Sequence, residues 1–186
     1  IVTRNLEPIY DIATALRALA LLRATCPGAH MTIAGEGPER AMLTALTCSL
    51  GVTDHVVFTG GVDNERMQDL YRRADLFLNS SVVDNMPNSI LEALASGVPV
   101  VSTDAGGIPF MVEHGKTALL VPPRDAHALA RAVLELLNDP DQAGRLAKEG
   151  LSLAQQYSWA NVRARLFNVY SALVKETPAH SVVESK

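Results

Sequence analysis

A chain of 186 residues, 48% of them hydrophobic, is long enough to bury the core of one ordinary domain and too short for a two-domain enzyme. A formal charge of −4 provides no basic stripe to displace counterions from nucleic acid, and no face that would seek anionic lipid. No apolar run approaches the length of a membrane span, and no charged-then-apolar leader opens the chain. The cysteines Cys26 and Cys48 and the five histidines lack metal-ligand spacing. We expect a folded globular segment with no metal, no cofactor and no nucleic-acid partner. It opens on Ile1-Val2-Thr3 without an initiator methionine, so we also expect a piece of a longer protein.

Ile1-Val2-Thr3-Arg4 is a short β-type run, and the helix after it places Ile12, Ala13, Leu16, Leu19 and Ala20 on one face until Pro27-Gly28. His30-Met31-Thr32-Ile33-Ala34 reads as the next strand. It leads through Gly35-Glu36-Gly37-Pro38 into a helix carrying Ala41, Leu43, Ala45, Leu46 and Leu50. The Gly-x-Gly lacks a third glycine at dinucleotide-binding spacing, and a tight strand-to-helix turn accounts for it. Val56-Val57-Phe58-Thr59-Gly60-Gly61 is a third strand, and 64–73 a polar-faced helix with Met67, Leu70 and Tyr71 inward.

Ala74-Asp75-Leu76-Phe77-Leu78 and Pro99-Val100-Val101-Ser102 read as strands buried on both faces. Gly106-Gly107-Ile108-Pro109 is a tight turn, and Thr117-Ala118-Leu119-Leu120-Val121 a last strand. Beyond it Ala126, Leu129, Ala130, Val133, Leu136 and Leu137 form a helical stripe broken at Asp139-Pro140, and two more helices follow, the second opening at Ser158-Trp159. We expect one domain over 1–176 and a loose tail over 177–186. Repeated strand-helix alternation predicts an α/β fold with a doubly wound parallel sheet, Rossmann-like, whose ligands sit at the carboxyl ends of the strands.

The most informative stretch is Asp84-Asn85-Met86-Pro87-Asn88-Ser89-Ile90-Leu91-Glu92-Ala93-Leu94-Ala95-Ser96-Gly97-Val98-Pro99-Val100-Val101. Pro87 suits the first helical position, which leaves the N–H groups of Asn88 and Ser89 without intrahelical partners. Those donors and the positive end of the helix dipole make an anion site that a diphosphate would fit. Glu92 lies one turn on, on the same face, where its carboxylate can accept from ligand hydroxyls, and Asp84 stands in the loop on the other side. A phosphate flanked by two polyols, as in a nucleotide sugar, suits a carboxylate on each side. Taken singly, Asp84 as a capping residue and Glu92 as a solvated first-turn acid are adequate accounts.

The whole run, with Ser102-Thr103-Asp104-Ala105-Gly106-Gly107-Ile108-Pro109 and Gly115-Lys116-Thr117-Ala118-Leu119-Leu120-Val121-Pro122-Pro123, resembles the donor-binding half of the family 4 (group 1) glycosyltransferases. The resemblance extends from Arg4 to Tyr170. It implies the C-terminal domain of a two-domain GT-B enzyme that moves a sugar from a UDP- or GDP-type nucleotide sugar to an acceptor, with retention, in glycan, glycolipid or polysaccharide synthesis. Asp84 and Glu92 have the spacing of the family's two acids and inherit the catalytic assignment. By the same resemblance Glu92 holds the ribose, Arg4 with the amides of Asn88 and Ser89 holds the diphosphate, and Asp84, Asn85, Met86, Gly106 and Gly107 face the donor sugar. Gly35, Gly37, Gly61, Val62 and Leu91 would approach the nucleotide.

Two departures stand out. The first acid is Asp rather than the usual Glu, and Ile9 and Tyr10 occupy the place of a lysine that commonly follows the arginine. The resemblance further implies reduced thiols, a cytoplasmic location with a peripheral place at the inner membrane face left open, and an absent acceptor domain without which the segment transfers no sugar. A sugar-nucleotide epimerase or phosphorylase of the same architecture, and a non-catalytic binding or assembly module, are the alternatives.

Overall fold

A computed structural model describes residues 1–176, so the tail expected at 177–186 lies outside the described residues. The chain divides into two compact units, 1–154 and 155 onward, a boundary inside the stretch that the sequence reads as one domain.

In the first unit strands and helices alternate in the expected order: β1 (Val2–Thr3), α1 (Ile12–Leu22), β2 (Met31–Ala34), α2 (Arg40–Ser49), β3 (Val56–Gly60), α3 (Asn64–Arg72), β4 (Phe77–Asn79), α4 (Asn88–Ala95), β5 (Val100–Thr103), β6 (Leu119–Val121) and α5 (Ala126–Asn138). A further helix, α6 (Pro140–Gln156), runs across the boundary. Aspartates start four of these helices: the carboxylates of Asp11, Asp63, Asp125 and Asp139 accept from the N–H groups of Thr14, Arg66, Ala128 and Gln142, each three residues on. Short 3-10 turns at Pro8–Tyr10, Thr53–His55 and Ile108–Phe110 were not legible, since a single turn carries no periodicity.

The strands form two three-stranded sheets, β1-β2-β3 and β4-β5-β6, parallel throughout. They lie side by side at β1 and β4. Ile1 N donates to Leu76 O at 2.8 Å and Leu78 N to Ile1 O at 2.9 Å, the alternate-residue pattern of a parallel ladder. The resulting order, 3-2-1-4-5-6, is doubly wound, and its switch point lies between β1 and β4.

Both faces of the sheet are covered, which is why β4 and β5 read as continuous apolar runs. One core joins Val2, Ile33, Leu78, Val101 and Leu119 to the inner stripes of α1 and α5, among them Leu16 and Leu129. The alternate residues Phe77 and Val100 point the other way, into a second core with Tyr71 of α3 and Ile90, Ala93 and Leu94 of α4. Ile90 and Leu94 are fully buried, so truncating either to Ala should cost about 2–5 kcal/mol and loosen the helix that carries the motif.

The second unit contains α7 (Trp159–Glu176), opened by Ser158, whose carbonyl accepts from Val162 N at 3.0 Å. No helix among the described residues is long and apolar enough to cross a membrane.

Candidate functional site

The site lies at the switch point, where β1 ends in Arg4 and β4 runs into Ser80, Ser81 and the Asp84 loop. Arg4 and Asp84 form an ion pair in which both side chains are 11% exposed. The remaining acceptor capacity of Asp84 is largely used: Oδ2 also accepts from Ser81 Oγ at 3.1 Å, and Oδ1 from Asn85 N at 3.0 Å. Tyr10 lies under the guanidinium, with Arg4 Cζ 4.2 Å from its ring centroid. Burial pushes the Arg4 pKa below its ordinary value, while Tyr10, Tyr71 and the charge of Glu92 act in the opposite sense. Arginine stays protonated under such shifts. The motif's two acids therefore both act on one cation.

Below this pair is a buried polar network that sequence reasoning missed. Asn79 Nδ2 donates to Ser102 Oγ at 3.0 Å, Ser81 Oγ stands 2.8 Å from Asn79 Oδ1, and Thr103 Oγ1 donates to Ser81 O at 2.6 Å. Ser80 Oγ donates to Tyr10 O at 2.8 Å, and Val82 N to Ile9 O at 2.8 Å. These bonds fasten the Ile9-Tyr10 turn to the exit of β4, which places the tyrosine under Arg4. Polar residues at the carboxyl end of an otherwise apolar strand pair were the available signal.

Two of the predicted glycine loops have a specific task here. Gly106, at φ +57°, lies so close to the Asp84 carbonyl that a Cβ would collide with it, and Gly107 N donates to the same carbonyl at 2.8 Å. Gly35 lies equally close to the Arg4 carbonyl, with Leu6 N bonded to Glu36 O at 2.9 Å. Each loop braces the backbone of one partner of the ion pair. Gly37 packs on Leu6, while Gly60 and Gly61 lie under the Glu36 side chain, where a Cβ added at Gly60 would come 3.1 Å from Oε1. Gly61, Asn85 and Met86 are exposed, and Val62 and Leu91 half-buried.

Helix α4 starts one residue later than the sequence suggests. Pro87 has ψ 116°, outside the helical range, so it flanks the helix and its carbonyl accepts from Ile90 N at 3.1 Å. The consequence for the first turn is unchanged, since Asn88 and Ser89 still have no intrahelical acceptor for their N–H groups. No side chain caps this end. Ser89 Oγ and Arg4 Nε are both buried without a hydrogen-bond partner, in a place where unpartnered donors are costly. Glu92 is exposed one turn on, and its Oε2 accepts from Tyr71 Oη at 3.1 Å. Tyr71 Oη also stands 2.7 Å from Thr3 Oγ1 and 3.3 Å from Ser89 O.

Among the described residues no group of three or more His, Cys, Asp or Glu could hold a metal ion, and both cysteines are free. An apolar cavity around Leu19, Leu22, Met31 and Leu76 opens elsewhere, away from these charged groups.

An uncapped helix start, two carboxylates and one guanidinium thus meet at the switch point of a doubly wound sheet, where such sheets bind ligands. The chain belongs to the glycosyl transferases group 1, whose family model matches residues 1–139. Among curated relatives it is 36% identical over 170 residues to a GDP-mannose-dependent alpha-(1-6)-phosphatidylinositol monomannoside mannosyltransferase of Mycobacterium tuberculosis, covering 87% of this chain and 44% of that protein. A glycogen synthase of the same organism is 35% identical over 169 residues, covering 90% and 41%. The chain thus spans less than half the length of these relatives.

In fold it is similar to the Anabaena protein HepE solved with UDP-glucose, with a TM-score of 0.83 at 23% identity, over 92% of this chain and 48% of that one. The C-terminal domain of a glycosyl transferase group 1 protein from Francisella tularensis superimposes with a TM-score of 0.76 at 20% identity, over 83% of each chain. The architecture is that of the C-terminal half of a GT-B glycosyltransferase.

Proposed function

We propose that this domain binds a nucleotide-sugar donor for a retaining glycosyltransferase. The observation that carries the reading is the uncapped start of α4, with Ser89 Oγ and Arg4 Nε buried and unpartnered beside it. A diphosphate would engage both donors together with the N–H groups of Asn88 and Ser89. Its ribose falls to Glu92, one turn along α4. A carboxylate offers roughly four acceptor positions, and three of those on Asp84 are engaged, so Asp84 holds Arg4 first and a donor-sugar hydroxyl with what is left.

Catalysis in this reading is the stabilisation of charge that develops on the leaving diphosphate, by a guanidinium and amides already in place. The acceptor and the facing wall of the site come from a further domain of the kind its longer relatives have room for, and a cytoplasmic location goes with this assignment. Both a UDP and a GDP donor are supported by what is similar to the chain.

Isothermal titration with UDP, GDP and ADP, each beside its glucose or mannose conjugate, tests this. We expect one base to be preferred and Glu92→Ala to weaken that binding about tenfold. Binding that Glu92→Ala leaves unchanged, or turnover unaffected by both Asp84→Ala and Glu92→Ala in the full-length protein, would refute the assignment.

A further inference from the structure

Tyr71 is the buried side chain of α3, and its hydroxyl has no part in the donor reading above. The ring is 2% exposed and tilted by 47° against Phe77 with centroids 6.1 Å apart, a space that phenylalanine would fill as well. The hydroxyl is what needs an explanation. It faces three groups: Thr3 Oγ1 at 2.7 Å, Glu92 Oε2 at 3.1 Å and Ser89 O at 3.3 Å.

A phenol carries a single proton, and an ionised carboxylate takes it in preference to a neutral carbonyl. The Thr3 hydroxyl then donates to Tyr71 Oη, and the chain runs in one direction, from Thr3 through Tyr71 to Glu92. Burial pushes the phenol well above its ordinary pKa, so Tyr71 remains a donor across the neutral range. Glu92 is otherwise exposed, and an exposed glutamate samples several rotamers. Tethering Oε2 to the buried phenol restricts those rotamers, on the helix whose first turn is open. Thr3 directly precedes Arg4, so the same chain refers the carboxylate to the residue that faces the diphosphate.

We propose that Tyr71 is a positioning residue that fixes the Glu92 carboxylate for the ribose diol, and that it thereby makes the site prefer ribonucleotide over deoxyribonucleotide donors. This rests on the assignment of Glu92 to the ribose.

The test is isothermal titration of the full-length protein with GDP and 2′,3′-dideoxy-GDP, and with UDP and its dideoxy analogue. Wild type is compared with Tyr71→Phe, Glu92→Ala and the double variant. Wild type should bind the ribonucleotide about tenfold more tightly than the dideoxy form, the value of one charge-assisted hydrogen bond, and Glu92→Ala should erase that ratio. Tyr71→Phe should weaken the ribonucleotide roughly three- to tenfold and leave the dideoxy form unchanged, with the double variant no worse than Glu92→Ala. Thr3→Val, which keeps the ring in place, should give a smaller shift of the same kind. Should Tyr71→Phe weaken both ligands equally, or keep the ratio while Glu92→Ala erases it, the positioning role is overturned and the ribose assignment stands. A ratio that survives Glu92→Ala, or wild type that binds neither nucleotide, overturns the assignment and the inference together.

Discussion

Removal of the Asp84 carboxylate separates a structural from a purely ligand-facing role. Breaking a buried ion pair by deleting one partner costs about 3–5 kcal/mol, because the remaining charge is left uncompensated. Asp84 and Arg4 are each 11% exposed, which places the pair in that regime. Arg4 would retain the Tyr10 face and the field of Glu92, so the lower end applies, and Asp84→Ala should lose about 3 kcal/mol. For a chain of this size each kcal/mol shifts the melting point by about 2–4 °C, which gives a fall of about 6–12 °C. Circular dichroism melts at low and moderate salt would measure it. Arg4→Met in the Asp84→Ala background should restore part of the loss, since no lone buried charge then remains. A fall below about 2 °C for Asp84→Ala, or strict additivity of the two substitutions, would show that the pair carries no stability and that Asp84 is held free for ligand.

Gly97 and Gly106 both have positive φ, but only Gly106 has backbone where a Cβ would go. Gly97→Ala should therefore cost only the left-handed penalty of about 1–2 kcal/mol, and Gly106→Ala at least twice that, read from urea midpoints. Replacing Tyr10 by Lys adds a cation beside Arg4 and should tighten nucleoside diphosphate binding and steepen its salt dependence, measured by titration at two ionic strengths. Unchanged affinity would place Tyr10 outside the anion site. The raised pKa of Tyr71 predicts an alkaline effect with a definite sign. Below about pH 10 the phenol is protonated in both folded and unfolded chains. As pH rises further only the unfolded state loses the proton, so stability falls, by at most about 1.4 kcal/mol per pH unit. Urea midpoints at pH 9 and 11 should fall less for Tyr71→Phe than for wild type, and an equal fall would contradict the burial of that hydroxyl.

The strands and helices of the sheet were legible because burial on both faces writes apolar runs such as Leu76-Phe77-Leu78 and Val100-Val101, and because helical stripes such as Ala126 to Leu137 repeat for several turns. The open start of α4 was legible for a local reason: Pro87 marks the helix start, and Ser89 and Glu92 follow at helical spacing. What did not show were contacts between distant segments. Nothing near Tyr71 in sequence points to Thr3 or Glu92, and nothing near Gly106 points to the Asp84 carbonyl, since each meeting depends on the order in which strands are laid side by side. At Gly35 and Gly106 packing against the Arg4 and Asp84 carbonyls is a sufficient physical reason for a missing side chain.

Charge arithmetic at the switch point explains why the departures from the family pattern matter. Arg4 contributes one positive charge, Asp84 and Glu92 two negative ones, and the α4 terminus about half a positive charge, so these groups carry a net of about −0.5 before any ligand arrives. Under the proposed function, a diphosphate is not drawn into such a site by net charge. In the proposed function it is held by directed donors, the amides of Asn88 and Ser89 with Ser89 Oγ and Arg4 Nε, the last two already buried in the folded chain. Ile9 and Tyr10, which stand where the resemblance leads one to expect a lysine, bring no charge, but Tyr10 stacks its ring under the Arg4 guanidinium. In the proposed function this exchanges long-range attraction for orientation of a single cation, and tight donor binding then calls for further positive charge from the facing domain.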